Sequence, residues 1–328
     1  MIARLNSVPL LLIMAIVCFT SCKSDPKPAQ TTPKKKVTVP AFDGQGAYTY
    51  VQKQVDIGTR VPGTDTHKEC KDYLVSELKN LGAEVKVQEF KASFFNVKDA
   101  ESYNIIASIN PKLNNRVLLA AHWDTRLVAD KDEEDKDKPI DGADDGASGV
   151  GVLLQIARTI QENPIDLGVD IIFFDAEDNG VDAATPEESE PESWCLGSQY
   201  WYKNKDRDYT AKFGILLDMV GAKDAVFPLE GYSTRDAGAY QDKIWTLAGR
   251  MGYGDLFQKK RIGGITDDHY YMNLAGIPSV DIINYPSETF GSYHHTHDDN
   301  MDNIDPNTLR IVGQVVTAVL YKESEGSF

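Results

Sequence analysis

Histidines placed beside carboxylates are the residues of this chain best suited to metal chemistry. Three of its six histidines lie within the stretch Tyr293–His297, which Asp298 and Asp299 follow directly. Another histidine lies far upstream, where His122 is separated from Asp124 by a single residue. Imidazoles and carboxylates are common protein ligands of zinc. The pattern therefore predicts a metal site that is assembled from distant segments of the chain.

Apolar runs that we predict to be strands deliver further ionisable residues. Each of three runs is followed by residues that can bind a metal or carry a proton: His122 after Arg116–Ala121, Glu177 and Asp178 after Val169–Phe174, and Asp218 after Phe213–Leu217. Ligands of open α/β sheets bind outside the carboxyl ends of the strands, so we expect these side chains to share one rim. Adjacent acids at a strand end point to different sides, so one can bind metal while the other handles protons.

Small residues surround a further pair of acids just before a predicted helix. Asp144 and Asp145 lie within the glycine-rich stretch Asp141–Gly149. One acid there can cap the helix and interact with its dipole. Capping does not need two, and the small neighbours indicate a backbone packed tightly around a site. A zinc site needs about four ligands, and the scattered cysteines cannot supply them.

Strands and helices alternate along most of the chain. The predicted strands are Asn104–Ile109, Arg116–Ala121, Val169–Phe174, Phe213–Leu217 and Ser279–Ile283, and the predicted helices are Thr66–Leu81, Ser148–Gln161, Ser198–Asn204, Ala237–Met251, Asp267–Leu274 and Pro306–Tyr321. Continuous apolar strands alternating with helices are typical of a parallel sheet that is covered on both faces. We predict a single α/β domain with a mostly parallel, twisted central sheet and helices on both of its faces.

The first residues have the features of an export signal. A basic start precedes the apolar stretch Val8–Thr20, which is too short for a stable membrane span. The sequence before Cys22 is similar to a lipoprotein processing site, and cleavage nearby in a secreted protein is the alternative. We predict a signal peptide over 1–22 with Cys22 lipidated, a disordered tether over 23–42 and a catalytic domain over 43–328. The expected location is the bacterial envelope, at the periplasmic or outer-membrane face.

Charge and cysteine content limit the partners. The net charge of −16 argues against nucleic acid and against an anionic membrane surface, so membrane contact is expected only through Cys22. The acidic runs Asp130–Asp137 and Glu187–Glu192 are typical of solvated loops, and calcium binding there stays an open alternative. An oxidising compartment permits a disulfide between Cys70 and Cys195, but the sequence does not establish one.

Five motifs, in this order, resemble the zinc aminopeptidase-like α/β fold. They are His122-Trp123-Asp124, Gly142–Gly149, Phe174–Asp178, Leu217–Gly221 and His295–Asp299. The resemblance extends from about Asp43 to the C-terminus. Within this fold there are two main candidates: the dizinc aminopeptidases and the glutaminyl-peptide cyclotransferases (glutaminyl cyclases), which work with one zinc ion. The stretches Asp267-Asp268-His269, His122–Arg126 and Leu216–Ala222 resemble the cyclases.

The resemblance to the cyclases implies a set of site residues. It implies one zinc ion per chain on Asp145, Asp178 and His295, a proton-transfer role for Glu177, and polar partner roles for Asp218 and Asp267. His297, His67 and His269 are expected outside the metal site, and His122 is expected as a metal-free neighbour. Animal cyclases differ at three positions, with tryptophan, histidine and glutamate where this chain has His294, Asp281 and Asp178.

The implied reaction converts an N-terminal glutamine of a peptide or protein to pyroglutamate and releases ammonia. Trp194 and Trp123 are the candidate walls of the glutamine pocket, although either could be an ordinary partly buried indole. Two alternatives remain. In a dizinc aminopeptidase, His122 and Asp218 would bind a second zinc ion and Asp145 would bridge the two. A non-catalytic surface binding lipoprotein is the other alternative. The oligomeric state stays open.

Overall fold

A computed structural model describes residues 1–2, 38–181, 190–286 and 289–328. The expected signal peptide, the lipidated Cys22 and the tether up to residue 37 fall outside the described residues, apart from the first two positions. None of the helices within the described ranges is both long and apolar enough to cross a membrane.

A central six-stranded sheet organises the fold. The strands along the chain are β1 (Glu84–Phe94), β2 (Val97–Ile109), β3 (Arg116–His122), β4 (Gly168–Phe174), β5 (Gly214–Asp218), β6 (Phe227–Leu229), β7 (Phe257–Arg261) and β8 (Ser279–Ile283). The sheet order is β1-β2-β4-β3-β5-β8, and β6 pairs with β7 in a separate two-stranded sheet. Strands β4, β3, β5 and β8 are parallel, while β1 and β2 run antiparallel at one edge. The prediction of a mostly parallel sheet is confirmed.

Helices cover both faces of this sheet. They are α1 (Gly44–Ile57), α2 (Asp65–Asn80), α3 (Ala147–Glu162), α4 (Leu196–Asn204), α5 (Gly231–Arg250), α6 (Asp268–Leu274) and α7 (Pro306–Glu325). Because successive side chains of a strand point to opposite faces, neighbouring residues of β3 join different cores. Leu119 packs with α3 and α7 in the larger core, whereas Leu118 packs with Trp201 and Met272 in the smaller one. The fold is therefore a three-layer α/β domain, as predicted.

The folded domain begins earlier than the predicted boundary at residue 43. Phe42 is only 4% exposed and its ring lies against Gly313 of α7. Its backbone N–H donates to the side-chain oxygen of Gln314, 2.9 Å away, and the Gln314 amide donates to the carbonyl of Pro40 at 3.0 Å. Val39 also packs on the core. Residues assigned to the tether thus belong to the domain, because their apolar side chains are needed to cover α7.

Helix α5 also differs from its prediction. It begins at Gly231, six residues before the predicted start at Ala237, with the Glu230 carboxylate capping its first turn. Ala237 itself departs from helical geometry (φ −132°, ψ 22°) and marks a kink. Before Ala237 the only buried residue of the helix is Ser233, which is polar, so the apolar pattern of the sequence located the helix from Ala237 onward only.

Candidate active site

Strand ends and loops bring the predicted site residues into one cleft. His122 and Asp218 are the last residues of β3 and β5, and Glu177 and Asp178 follow β4. The cavity at this rim has a volume of about 210 Å³. Its lining includes the site residues Asp145, Glu177, Asp178, Asp218, Asp267 and His295, together with Pro191, Trp194, Met219, Ile265, Thr266, Ile283, Phe290 and His294. All six of these site residues had been predicted from the sequence.

The donor atoms of Asp145, Asp178 and His295 suit a zinc ion. His295 Nε2 lies 3.0 Å from Asp178 Oδ1 and 3.8 Å from Asp145 Oδ2. Asp145 Oδ2 and Asp178 Oδ2 are buried and accept no hydrogen bond. Burying a carboxylate oxygen without a partner is costly, so such atoms fit a role as cation ligands. Two carboxylates and one imidazole also form the type of ligand set that catalytic zinc sites use, with a further position left open.

His122 lies between two of the acids. Its Nε2 is 3.0 Å from Asp145 Oδ1 and 3.2 Å from Asp218 Oδ1. Burial alone would lower the pKa of this histidine, but Asp124, Asp145 and Asp218 outweigh burial and raise its pKa well above the usual value. The donor atoms of His122, Asp145 and Asp218 lie within 4.8 Å of one another, which is compatible with a second metal ion. Geometry alone therefore leaves both the one-metal and the two-metal arrangement open.

For three other acids of the cleft, burial outweighs the opposing charge of His122. Burial raises the pKa of Glu177 well above its usual range, and the charges of Asp267, Asp268 and Asp178 raise it further. Burial likewise raises the pKa of Asp218 to about 6 and that of Asp267 to about 7. Carboxyl groups with pKa values near neutrality can accept and return protons during a reaction.

Two further aspartates hold the backbone of the ligand loops. Asp124 accepts the backbone N–H of Glu177 at 3.0 Å and that of Asp178 at 3.3 Å. Asp299 accepts the backbone N–H of Asp145 at 3.1 Å and that of the preceding residue at 2.7 Å. Both belong to motifs that resemble the family, His122-Trp123-Asp124 and His295–Asp299, but the resemblance implies no role for either. Their acidity within a metal motif was the available signal, since outer carboxylates commonly orient metal ligands.

A buried arginine, which sequence reasoning missed, fixes the same region. The Arg60 guanidinium donates to the backbone carbonyls of Trp123, Asp141 and Gly142. The first carbonyl directly follows strand β3, and the other two begin the loop that carries Asp145. One planar group with five donors can bridge two such segments at once. Nothing in the local sequence around Arg60 indicates this role, because its partners are backbone atoms of distant residues.

The two candidate tryptophans differ in position. Trp194 lines the cleft, where its ring stacks on His295 with centroids 6.0 Å apart and lies over Gly180. Trp123 is 0% exposed and stacks on His67 inside the core, and its indole N–H donates to the carbonyl of Tyr103. The expectation that Trp123 forms a wall of the pocket is therefore wrong. Side chains alternate along an extended segment, so the residue after His122 points away from the site.

The remaining histidines lie outside the proposed ligand set. His297 Nδ1 is 2.8 Å from Asp132 Oδ2 in a partly exposed loop. His67 and His269 form buried pairs with Asp175 and Glu230, each at 2.9 Å. That none of the three binds the metal stays a prediction, since the donor atoms of His269 lie within 4.8 Å of those of Asp267 and Asp281. His294 differs, because its Nε2 lies 3.7 Å from Asp145 Oδ2 at the edge of the cleft.

The cysteines and acidic runs also have defined positions. Cys70 and Cys195 are both buried free thiols, so the structure contains no disulfide between them. In the first acidic run, Asp130 pairs with Arg126 at 2.8 Å. Of the second run, residues 187–189 lie outside the described residues.

Comparisons with known proteins agree with this geometry. Residues 104–320 match Peptidase family M28. The structure of Bacteroides thetaiotaomicron glutaminyl cyclase bound to N-acetylhistamine is 47% identical, with a TM-score of 0.83 over 87% of this chain and 99% of that one. A Zn-dependent exopeptidase from Parabacteroides distasonis is 49% identical, with the same TM-score and the same coverage. The Drosophila melanogaster glutaminyl-peptide cyclotransferase is 26% identical over 275 residues, which span 75% of this chain and 72% of that protein.

Proposed function

The chain belongs to Peptidase family M28, and from that premise we propose that it is a zinc-dependent glutaminyl-peptide cyclotransferase. Its substrates would be peptides or proteins with an N-terminal glutamine, and its products a pyroglutamyl peptide and ammonia. The observation that carries this proposal is the acidic side of the cleft. Asp267 adds a third buried acid beside Glu177 and Asp218, in a cavity that also contains the metal ligands. Similarity to a bacterial glutaminyl cyclase over nearly its full length supports it.

Positioning the α-amine against the γ-carbonyl supplies a large part of the rate enhancement in this reaction. The nucleophile is the α-amine of the substrate itself, and it attacks the γ-carbonyl carbon of the same residue. A cavity of about 210 Å³ can hold one glutamine side chain folded back on its amine. Holding two reacting groups of one molecule in contact removes much of the entropic barrier. Trp194 forms a flat wall of this cavity and restricts the conformations of the bound side chain.

The metal and the acids have separate tasks. Zinc held by Asp145, Asp178 and His295 would supply Lewis-acid polarisation of the γ-carbonyl. Glu177 accepts a proton from the attacking amine and returns it to the departing nitrogen, so the new C–N bond forms as ammonia leaves with that proton. Asp218 and Asp267 share hydrogen bonds or a proton with Glu177 and help to hold the leaving group. We propose one zinc ion per chain.

One assay with two substrate classes tests the proposal. Purified protein is incubated with glutaminyl peptides and with aminoacyl chromogenic substrates, and bound metal is counted per chain. Ammonia release with about one zinc per chain supports the cyclase. Released amino acids with about two zinc ions support an aminopeptidase, which the cluster of His122, Asp145 and Asp218 favours as the second candidate. Absence of both products leaves the binding lipoprotein.

We also propose that the protein is exported and attached to the bacterial envelope through a lipid on Cys22. The sequence before this cysteine supports the proposal. In the native host, membrane fractions should contain the wild-type protein with a lipid mass on Cys22. The Cys22→Ala variant should lack that lipid, and a wild-type protein recovered without any lipid would refute the anchor.

A further inference from the structure

A buried thiol lies directly against the proposed proton carrier. Cys195 Sγ is 3.1 Å from Glu177 Oε1, and the mechanism above gives this thiol no task. The donor atoms of Glu177, Cys195 and Asp267 all lie within 4.8 Å of one another. We propose that these three residues form a second, inhibitory site for a zinc-like divalent cation, separate from the site of the catalytic zinc.

The chemistry of the donors favours such an ion. One thiolate and two carboxylates suit Zn²⁺ and the softer Cd²⁺, whereas Mg²⁺ and Ca²⁺ prefer oxygen ligands alone. Asp267 Oδ2 is buried and accepts no hydrogen bond, so a polar atom is available that lacks a partner. Asp268 is also fully buried nearby, and its carboxyl repels negative charge on Glu177 and on Cys195. A divalent cation would offset several of these charges at once.

Backbone hydrogen bonds hold the thiol in position before any ion arrives. The N–H of Cys195 donates to the carbonyl of Glu177, and the N–H of Leu196 donates to that of Ala176, each at 3.0 Å. Cys195 also has a positive φ of 58°, a conformation that few residues other than glycine adopt. The two loops are thereby fixed side by side, with the thiol of Cys195 held against the Glu177 carboxyl. A site whose ligands are already in place loses little conformational entropy on binding.

An ion can reach the site from the substrate side. Glu177 and Asp267 both line the cleft, and Cys195 lies behind Glu177. Binding would deprotonate the thiol, so that the cation forms a bond to the thiolate and one proton is released to solvent. This inference rests on the proposed function in one respect: an ion bonded to Glu177 prevents that carboxyl from transferring protons. The enzyme would then be activated by one equivalent of zinc and inhibited by further zinc.

Cadmium titration of the zinc-loaded protein tests the site without relying on activity. We expect a thiolate-to-cadmium charge-transfer absorption that saturates at about one added equivalent per chain. The Cys195→Ser variant should lack this absorption while retaining its first zinc ion. The matched control is Cys70→Ser, which removes the other buried free thiol and should leave the absorption unchanged.

Excess zinc provides the functional readout. It should lower the turnover of glutaminyl peptides on the order of a hundredfold in the wild type, because proton transfer is lost. Turnover of Cys195→Ser, normalised to its own value at one equivalent of zinc, should fall far less. A wild type without the absorption, or a Cys195→Ser variant that keeps it, overturns the second site even if cyclisation is confirmed. The opposite result is also informative. If the absorption depends on Cys195 but the protein forms no pyroglutamate, the second site is supported and the proposed function is refuted.

Discussion

Asp145 and Asp267 are the same residue type, both buried in the same cleft, yet their surroundings give them opposite proton affinities. Burial would raise the pKa of Asp145, but His122, together with the charges of His294 and His295, outweighs it and lowers that pKa. Asp267 faces the charge of Asp218 instead, and burial plus this repulsion raise its pKa to about 7. Neighbours, rather than residue type, thus distinguish Asp145, a proposed metal ligand, from Asp267, a proposed partner in proton transfer.

Replacing Glu177 with glutamine should have the largest effect on turnover, and it should separate proton transfer from metal binding. The amide keeps the shape of the side chain but cannot carry a proton, so we expect turnover to fall on the order of 10³-fold. Zinc content should stay near that of the wild type, because the proposed metal ligands Asp145, Asp178 and His295 are intact. Metal analysis and ammonia release on one sample measure both effects. Loss of zinc in Glu177→Gln would show that its role and that of Asp178 are exchanged.

Weakening a contact that positions the proposed metal ligand Asp145 should have a smaller effect, confined to zinc binding. Asp299 accepts two backbone N–H groups in the loop of Asp145, and Asp299→Asn removes the charge from that contact. We expect zinc affinity to fall roughly 10- to 100-fold, with turnover largely restored at saturating zinc. Competition with a chelator measures the affinity. Turnover that stays low at saturating zinc would assign Asp299 to proton transfer instead.

His122 contacts both Asp145 and Asp218, so its replacement distinguishes a one-metal enzyme from a two-metal enzyme. In the one-zinc enzyme, His122→Ala removes a contact with Asp145 and with Asp218. Turnover should fall about tenfold, which corresponds to about 1.4 kcal/mol. The metal count should remain at about one per chain. Two metal ions in the wild type and one in the variant would support the aminopeptidase arrangement.

Trp194 should have the smallest effect, since it contacts the substrate without charge or proton transfer. Losing an aromatic contact weakens substrate binding by about 1 kcal/mol, so Trp194→Leu should raise KM roughly fivefold and change kcat little. Steady-state kinetics with a glutaminyl peptide measure the two constants separately. A large fall in kcat at unchanged KM would mean that Trp194 positions His295, on which it stacks.

Much of the cleft could be predicted because its residues occupy strand ends. The position of Asp218 at the end of an apolar run, for example, indicated the rim directly. Strand β1 was missed because its outer half alternates between exposed and partly buried residues, and it pairs only with the antiparallel strand β2. Contacts between distant segments, such as Arg60 with the carbonyl of Gly142, leave no local pattern in a sequence. The same limit applies to the thiol of Cys195 beside Glu177.

The shared contacts of Asp124 have an evolutionary consequence. This carboxylate accepts the backbone N–H groups of both Glu177 and Asp178, so the proposed proton carrier and the proposed metal ligand are held by one side chain. A substitution that shifts this side chain to suit a different metal also displaces the neighbouring acid. Metal preference and proton transfer at this position cannot evolve independently. A change in one must be accompanied by adjustment of the other, through substitutions at residues that contact both.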